Sequence, residues 1–256
     1  MTTRRRTPLR ADEVEAERCN AVRRERILAR VPFFAGLDPA EIRDINTLFR
    51  EHGYEPGETI YFTGDPARLL CVVAAGKVKL IRHTLSGQDV ITDILAEGEF
   101  FGTLAALGDE HYPDTAQAQT ACCVLAIAAA DFQRLLERYP PIALRLLPIV
   151  AGRLLATQEQ VRQLSAHSVE SRIAAVLLLL ADKLGEPRDG QTLIQMPLSR
   201  QDLAAMTGAT TETVSRVLSS LKRHAQIDSG RQWIAIVDRP ALEELAATGG
   251  PAGALT

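Results

Sequence analysis

The stretch Leu198-Ser199-Arg200-Gln201-Asp202-Leu203-Ala204-Ala205-Met206-Thr207-Gly208, continued by Ala209-Thr210-Thr211-Glu212-Thr213-Val214-Ser215-Arg216-Val217-Leu218, decides how the chain is read. It spells a short capped helix, a glycine turn and a second helix. Counted from Arg200, position 5 is Ala204, position 9 is Gly208 and position 15 is Val214. A small residue is needed where two helices cross closely. Glycine gives the turn its backbone freedom, and Val214 with Val217 locks the second helix onto the first. The run Ile227-Asp228-Ser229-Gly230-Arg231-Gln232-Trp233-Ile234-Ala235-Ile236 then reads as a turn and a strand, a wing beside the two helices. A purely structural helical hairpin is the alternative reading of the pair.

If Val214, Val217, Leu218 and Leu221 face inward, Thr211, Glu212, Ser215 and Arg216 face outward near the start of the second helix. That is the part of a recognition helix that enters the major groove of double-stranded DNA. Arg216 offers the fork that matches guanine O6 and N7, and Glu212 can accept from a cytosine amine. Ser215 adds a small hydroxyl contact. Thr211, Thr213, Lys222, Arg223 and Arg200 are placed for phosphates, which orient a protein without reading sequence. Lys222 and Arg223 also lie in the last turn of the helix, where a cation satisfies the helix dipole.

Upstream of this motif, Ser168 is a candidate N-cap for a helix Val169–Leu184 that ends at Gly185, and Ser165-Ala166-His167-Ser168 reads as a hinge. Before the hinge, Leu147, Val150, Leu154, Thr157, Val161 and Leu164 recur at intervals of 3, 4, 3, 4 and 3 on a helix from Pro141 to Leu164. Such a seam wants a second helix, so Leu147, Val150, Leu154, Val161 and Leu164 are the expected dimer interface. The other face carries Leu144, Leu146 and Leu155 and is free to meet the chain's own N-terminal domain.

From about Val31 to Phe132, Gly53, Gly57, Gly64, Gly76, Gly87, Gly98 and Gly102 separate short apolar runs such as Thr59–Phe62, Leu70–Val73 and Lys77–Ile81. Short strands joined by tight turns point to a small antiparallel barrel or jelly roll. Asp38-Pro39-Ala40-Glu41 precedes them as a helix start, with Asp38 as N-cap and Ile42, Ile45 and Leu48 on one face. The expected organisation is a basic N-terminal arm (1–30), a sensor barrel (31–140), a dimerisation helix and hinge (141–167), a winged helix-turn-helix (168–240) and a C-terminal tail (241–256). The fold class is α+β.

Composition narrows the function classes. The 256 residues are 46% hydrophobic and 24% charged, the mix of a globular protein. The net charge of −3 excludes a bulk basic nucleic-acid binder but not a local basic face. Residues 1–30 hold nine arginines against five acidic residues, a net +4 in an arm read as solvated. The apolar run Ile173–Ala181 is far shorter than the ~20 residues that cross a bilayer, and no apolar segment follows the N-terminal arginines, so no membrane and a cytoplasmic location are expected. The cysteines, Cys19, Cys71, Cys122 and Cys123, show no C-x2-C spacing, and adjacent Cys122 and Cys123 point to opposite faces of a strand. Free, buried thiols and no metal site are expected. No nucleophile–base pairing or carboxylate pair marks an enzyme.

With these residues in view, the chain resembles the Crp–Fnr family of bacterial transcription factors over about Val31 to Pro240. The resemblance rests on Gly57-Glu58, on Gly98-Glu99-Phe100-Phe101-Gly102, on the long helix, and on Leu198–Asp202 leading to Glu212-Thr213-Val214-Ser215-Arg216. It implies a homodimer with N-terminal sensor barrels and C-terminal winged helices, RNA polymerase as a further partner, and half-sites similar to TTGA, as in the Fnr branch. It also implies an effector pocket at Gly102, Thr103, Leu104, Asp114 and Thr115. Cyclic-nucleotide-binding relatives carry a glutamate where Thr103 stands and an Arg-Ser pair about ten residues on, where this chain has Tyr112-Pro113-Asp114-Thr115, which leaves a cyclic-nucleotide-dependent regulator as an alternative reading. Iron–sulfur relatives use several N-terminal cysteines where this chain has only Cys19. A haem-based sensor, with His52, His83, His111, His167 or Cys71 as ligand, stays open, and so do thiol oxidation at Cys19 and the absence of any effector. The cofactor is therefore left unknown.

Overall fold

Strands that are apolar at every position need cover on both faces, and Leu69–Ala75 and Cys122–Ala128 are such strands. The computed structural model describes residues 21–84, 87–102, 110–230 and 232–247, with residues 21 and 160–166 described as backbone. Among these the chain divides into two units, 21–156 and 157–247.

The first unit holds β1 (Arg50–Tyr54), β2 (Thr59–Tyr61), β3 (Leu69–Ala75), β4 (Val78–His83), β5 (Asp89–Leu95), β6 (Phe100–Phe101), β7 (Thr115–Ala118) and β8 (Cys122–Ala128). They form two antiparallel sheets, ordered β1-β8-β3-β6 and β2-β7-β4-β5, the expected jelly roll. In the central pair Cys71 lies opposite Ala126 and Val73 opposite Val124, and these side chains face the barrel interior with Tyr61, Phe101 and Tyr112. Their neighbours Leu70, Val72, Leu125 and Ile127 face the other way, into a core built with helices. Cys122 and Cys123 follow the same alternation, one in each core, and both are free thiols. Gly53, expected as a break between strands, lies inside β1 opposite Cys123.

Three helices cover the outer face. The helix α1 (Ala21–Arg30) buries Ile27 and Leu28 completely, and Arg24 donates to the carbonyls of Asn46 and Phe49. The last ten residues of the expected solvated arm are thus a wall of the first unit; residues 1–20, with Cys19, lie outside the described residues. Asp38 caps α2 (Pro39–Asn46) through the anticipated capping box with Glu41. That helix stops before Leu48, which is 37% exposed, and Phe49 is the residue that turns inward. The third helix, α3 (Ala129–Arg138), adds Phe132 and Leu135, so that Phe33 meets Phe34, Phe100 and Phe132 edge to face.

The helix α4 (Pro140–Ala166) begins in this unit. Ile142 and Leu146 are buried in the helix-side core, and Ile149 and Val150 pack against it. Val150, expected in the dimer seam, is therefore taken by the chain's own core. Leu144 (67%), Leu147 (65%), Leu154 (59%) and Leu155 (65%) are exposed instead. This shifts the free apolar stripe by one helical row, because the inward row follows the sheet rather than a strict heptad. Val161 and Leu164 lie on the helical backbone, with side chains outside the described residues. With apolar residues on both faces, Pro140–Glu159 reaches a mean hydropathy of 1.3 and is long and apolar enough to cross a membrane by length and composition, a feature the sequence reading overlooked. Arg153, on the same helix, lays its guanidinium 4.1 Å above the Phe100 ring and donates to the Phe100 carbonyl at 2.9 Å.

The second unit contains α5 (Val169–Leu184), capped as expected by Ser168, then β9 (Gly185–Arg188), β10 (Gln191–Gln195), α6 (Arg200–Thr207), α7 (Thr211–Arg223), β11 (Ile227–Gly230), β12 (Trp233–Ile236) and α8 (Arg239–Ala247). Its sheet is ordered β11-β12-β10-β9, four strands where a turn and one strand were expected. Gly185 sits at the helix-to-strand junction in extended backbone, where a Cβ would stand 2.3 Å from the Ala181 carbonyl and 2.4 Å from Thr192. Close approach, not left-handed backbone, explains this glycine. The expected tail at 241–256 is corrected in part: α8 buries Leu242, and the Leu245 carbonyl accepts from Ser171 of α5 at 2.8 Å.

Leu28 is fully buried in the sensor core, so Leu28→Ala should lower the unfolding free energy of the sensor by about 2–5 kcal/mol, read by urea titration of the far-ultraviolet circular dichroism. An arm that was merely solvated would show no change.

Candidate nucleic-acid interface and sensor pocket

The recognition hairpin is assembled from caps inward. The Ser199 hydroxyl accepts from the Asp202 amide at 2.9 Å, while Asp202 accepts from the Ser199 amide, which starts α6 at Arg200. Leu203 and Ala204 are buried against α7, as a close helix crossing demands. Gly208 ends α6 in left-handed backbone, with φ 62°. Thr210 then caps α7 by accepting from the Thr213 amide at 3.2 Å.

Arg172 of α5 donates to the carbonyls of Thr207 (2.9 Å) and His167 (3.1 Å), fixing the end of α6 from below. Nothing in the sequence marks this arginine, because its target is a backbone carbonyl far along the chain. The missed hairpin β9–β10 did carry a signal: Asp189-Gly190, with φ of 49° and 77°, is a dipeptide suited to a tight hairpin turn.

Val214, Val217, Leu218 and Leu221 all turn inward. Thr211, Glu212 and Arg216 stand exposed on the opposite face, with Ser215 half-buried between them. Arg200 and Arg223 are exposed as well. Two expected phosphate contacts are engaged elsewhere. Lys222 donates to the Ser229 carbonyl and pairs with Asp228, each at 2.8 Å, so it braces α7 against the wing strand β11. Thr213 shares a hydroxyl hydrogen bond with Thr210 inside the cap.

In the sensor, Gly102 has φ 82°, and a Cβ there would lie 2.8 Å from the Leu69 carbonyl and 3.3 Å from the Tyr112 ring. Tyr112 stacks on Tyr61 with ring centres 3.7 Å apart and exchanges hydrogen bonds between its hydroxyl and the Leu69 backbone. Asp114 accepts from the Tyr61 hydroxyl at 3.0 Å, and burial raises its carboxyl above the usual range. Thr115 accepts from the Thr63 amide at 3.0 Å. Asp114 and Thr115 thereby tie β7 to β2, while Thr103 and Leu104 lie outside the described residues.

The haem and thiol candidates are dispersed. His83 pairs with Asp89 at 2.7 Å, and His111 forms a backbone bridge to Pro66. His167 offers its carbonyl to Arg172. Burial pushes the Cys71 thiol up to about 12, which keeps it protonated at neutral pH. Among the described residues no three His, Cys, Asp or Glu side chains gather where they could hold a metal ion.

Comparison with known proteins follows this division. A cyclic nucleotide-binding domain model matches residues 51–139, and a Crp-like helix-turn-helix domain model matches 171–245. The cyclic AMP receptor protein of Thermus thermophilus is 33% identical over 216 residues, covering 84% of this chain and 96% of the relative. The chain belongs to the Crp–Fnr family. It is accordingly a DNA-binding transcription regulator. The global nitrogen regulator of Synechococcus elongatus is 30% identical over 77% of this chain and 95% of its own length. Among solved structures, FixK2 from Bradyrhizobium japonicum superposes with a TM-score of 0.70 at 25% identity, covering 80% of this chain and 99% of its own.

A left-handed alanine costs about 1–2 kcal/mol relative to glycine. Gly208→Ala should lower the stability of the winged-helix unit by about that amount, measured by urea unfolding followed through Trp233, the chain's single tryptophan.

Proposed function

We propose that the protein is an effector-controlled regulator that binds, as a homodimer, a palindrome of two TTGA-like half-sites whose centres lie about one helical turn apart. The observation that carries the reading is the outward row Thr211, Glu212, Ser215 and Arg216 on a helix whose start is capped and whose opposite face is buried. Arg216 reads guanine, Glu212 accepts from a cytosine amine, and Ser215 contributes a short contact between them. Thr211, Arg200 and Arg223 hold phosphates and set the register.

The second copy packs on the stripe Leu144, Leu147, Leu154 and Leu155. Four large aliphatic side chains more than half exposed on one helix are an association surface in water. The regulator acts in the cytoplasm alongside RNA polymerase.

The barrel reads a molecule other than a cyclic nucleotide. In the window where cyclic-nucleotide-binding relatives place an arginine and a serine, this chain presents Pro113 and Asp114. A carboxylate repels a cyclic phosphate, and proline lacks an amide donor. The subsite at Gly102, Asp114 and Thr115 is further constrained by the Tyr61–Tyr112 stack beside it.

Two measurements test these assignments. Replacing Arg216 by alanine should weaken binding to the cognate palindrome by about 1–3 kcal/mol per half-site and relax preference at one base pair, read by gel shift across single-base variants. Unchanged affinity and preference would remove Arg216 from the base-reading set. Leu154→Asp should shift the protein toward monomer in sedimentation and weaken binding to the palindrome, whereas a tight dimer would place the interface elsewhere.

A further inference from the structure

The barrel holds a cavity that shares Tyr61, Leu69 and Tyr112 with the surroundings of Gly102. It is a cavity of about 410 Å³ entered between β1 and β2, within the ~300–1,000 Å³ range of small-molecule sites. Its floor is made by Val124 and Ala126, the inward-facing residues of β8, and the Tyr61–Tyr112 pair closes one side. The alanine is what leaves the space open, since its neighbours on that face are larger.

Three residues with polar side chains are among those lining this mostly apolar slot: Tyr54, His52 and Arg68. Among the described residues none of the three has a hydrogen-bond or ion-pair partner, although Tyr54 is half-buried. Asp65 is the acidic group on the same lining, with one carboxylate oxygen accepting from the Phe62 amide at 2.9 Å. An arginine and a tyrosine on the lining of one mostly apolar slot suit a carboxylate attached to an apolar body.

We propose that this cavity binds a small carboxylic acid with a ring-sized apolar body, the body resting on Val124 and Ala126 and the carboxylate held by Arg68 and the Tyr54 hydroxyl. The ligand class rests on reading the barrel as the sensor, but the site stands on its own lining. A ligand there would press on Tyr61 and Tyr112, the same rings that border Gly102 and Asp114, so occupancy of the cavity and the shape of the other subsite are coupled.

The test uses the full chain with 4-phenylbutyrate, its uncharged analogue 4-phenylbutan-1-ol and cyclic AMP, each titrated by calorimetry. The acid should bind at one site per chain and more tightly than the alcohol. Arg68→Gln, an exposed substitution that leaves the fold intact, should weaken the acid about tenfold and bring it level with the alcohol. Tyr54→Phe should weaken the acid several-fold. No binding of the acid, equal binding of acid and alcohol to the unmodified chain, or indifference to both substitutions would overturn the proposal. Binding of cyclic AMP with no binding of the acid would overturn the site while leaving the barrel a sensor. Binding of the acid with unchanged affinity for the DNA palindrome would support the site and remove the sensor reading alone.

Discussion

The pairing of β3 with β8 governs the sensor unit, because both strands are apolar on both faces and neither face can be left to water. One face, with Leu70, Val72, Leu125 and Ile127, requires a helical cover, which α1, α2, α3 and the start of α4 provide. The other, with Cys71, Val73, Val124 and Ala126, requires an opposing sheet, and the second sheet of the barrel provides it. The aromatic set around Phe33 and the Tyr61–Tyr112 stack are the two fillings that follow from that requirement. A cavity lies over the small inward residue Ala126.

The DNA-binding unit depends on a different constraint, the orientation of one amphipathic helix. Caps at Ser199 and Thr210, the left-handed turn at Gly208 and the clamp from Arg172 all act on the short hairpin before α7. Lys222 then joins the far end of α7 to the wing. The outward face of α7 is left with side chains that have no structural task, which is what a surface meant for another molecule looks like.

Much of this was legible from the chain alone because the deciding signals are local. Capping boxes, turn glycines and the spacing of Val214, Val217, Leu218 and Leu221 are set within a few residues, and they located α2, α5, α6 and α7 closely. The features that escaped are long-range. That α1 seals the sensor depends on Phe49 and Asn46, more than twenty residues away. Val150 packs partly buried against the core because of where the sheet's helical cover lies, which a heptad count cannot register. Lys222 looks like a phosphate ligand until the wing folds back onto it. The cavity beneath Tyr54 arises from β1, β2, β3 and β8 together, and no contiguous stretch of sequence encodes it.

Arg153 gives α4 a fixed angular reference. Its guanidinium is held by the Phe100 carbonyl and by the Phe100 ring, and that ring meets Phe33 edge to face in the helical cover. A turn of α4 about its axis by a single residue, about 100°, would carry Arg153 off both anchors. The next two residues are Leu154 and Leu155, half of the exposed aliphatic stripe. Phe100 opens β6, the strand that leads into Gly102, so the azimuth of the stripe is indexed to the backbone position of that strand.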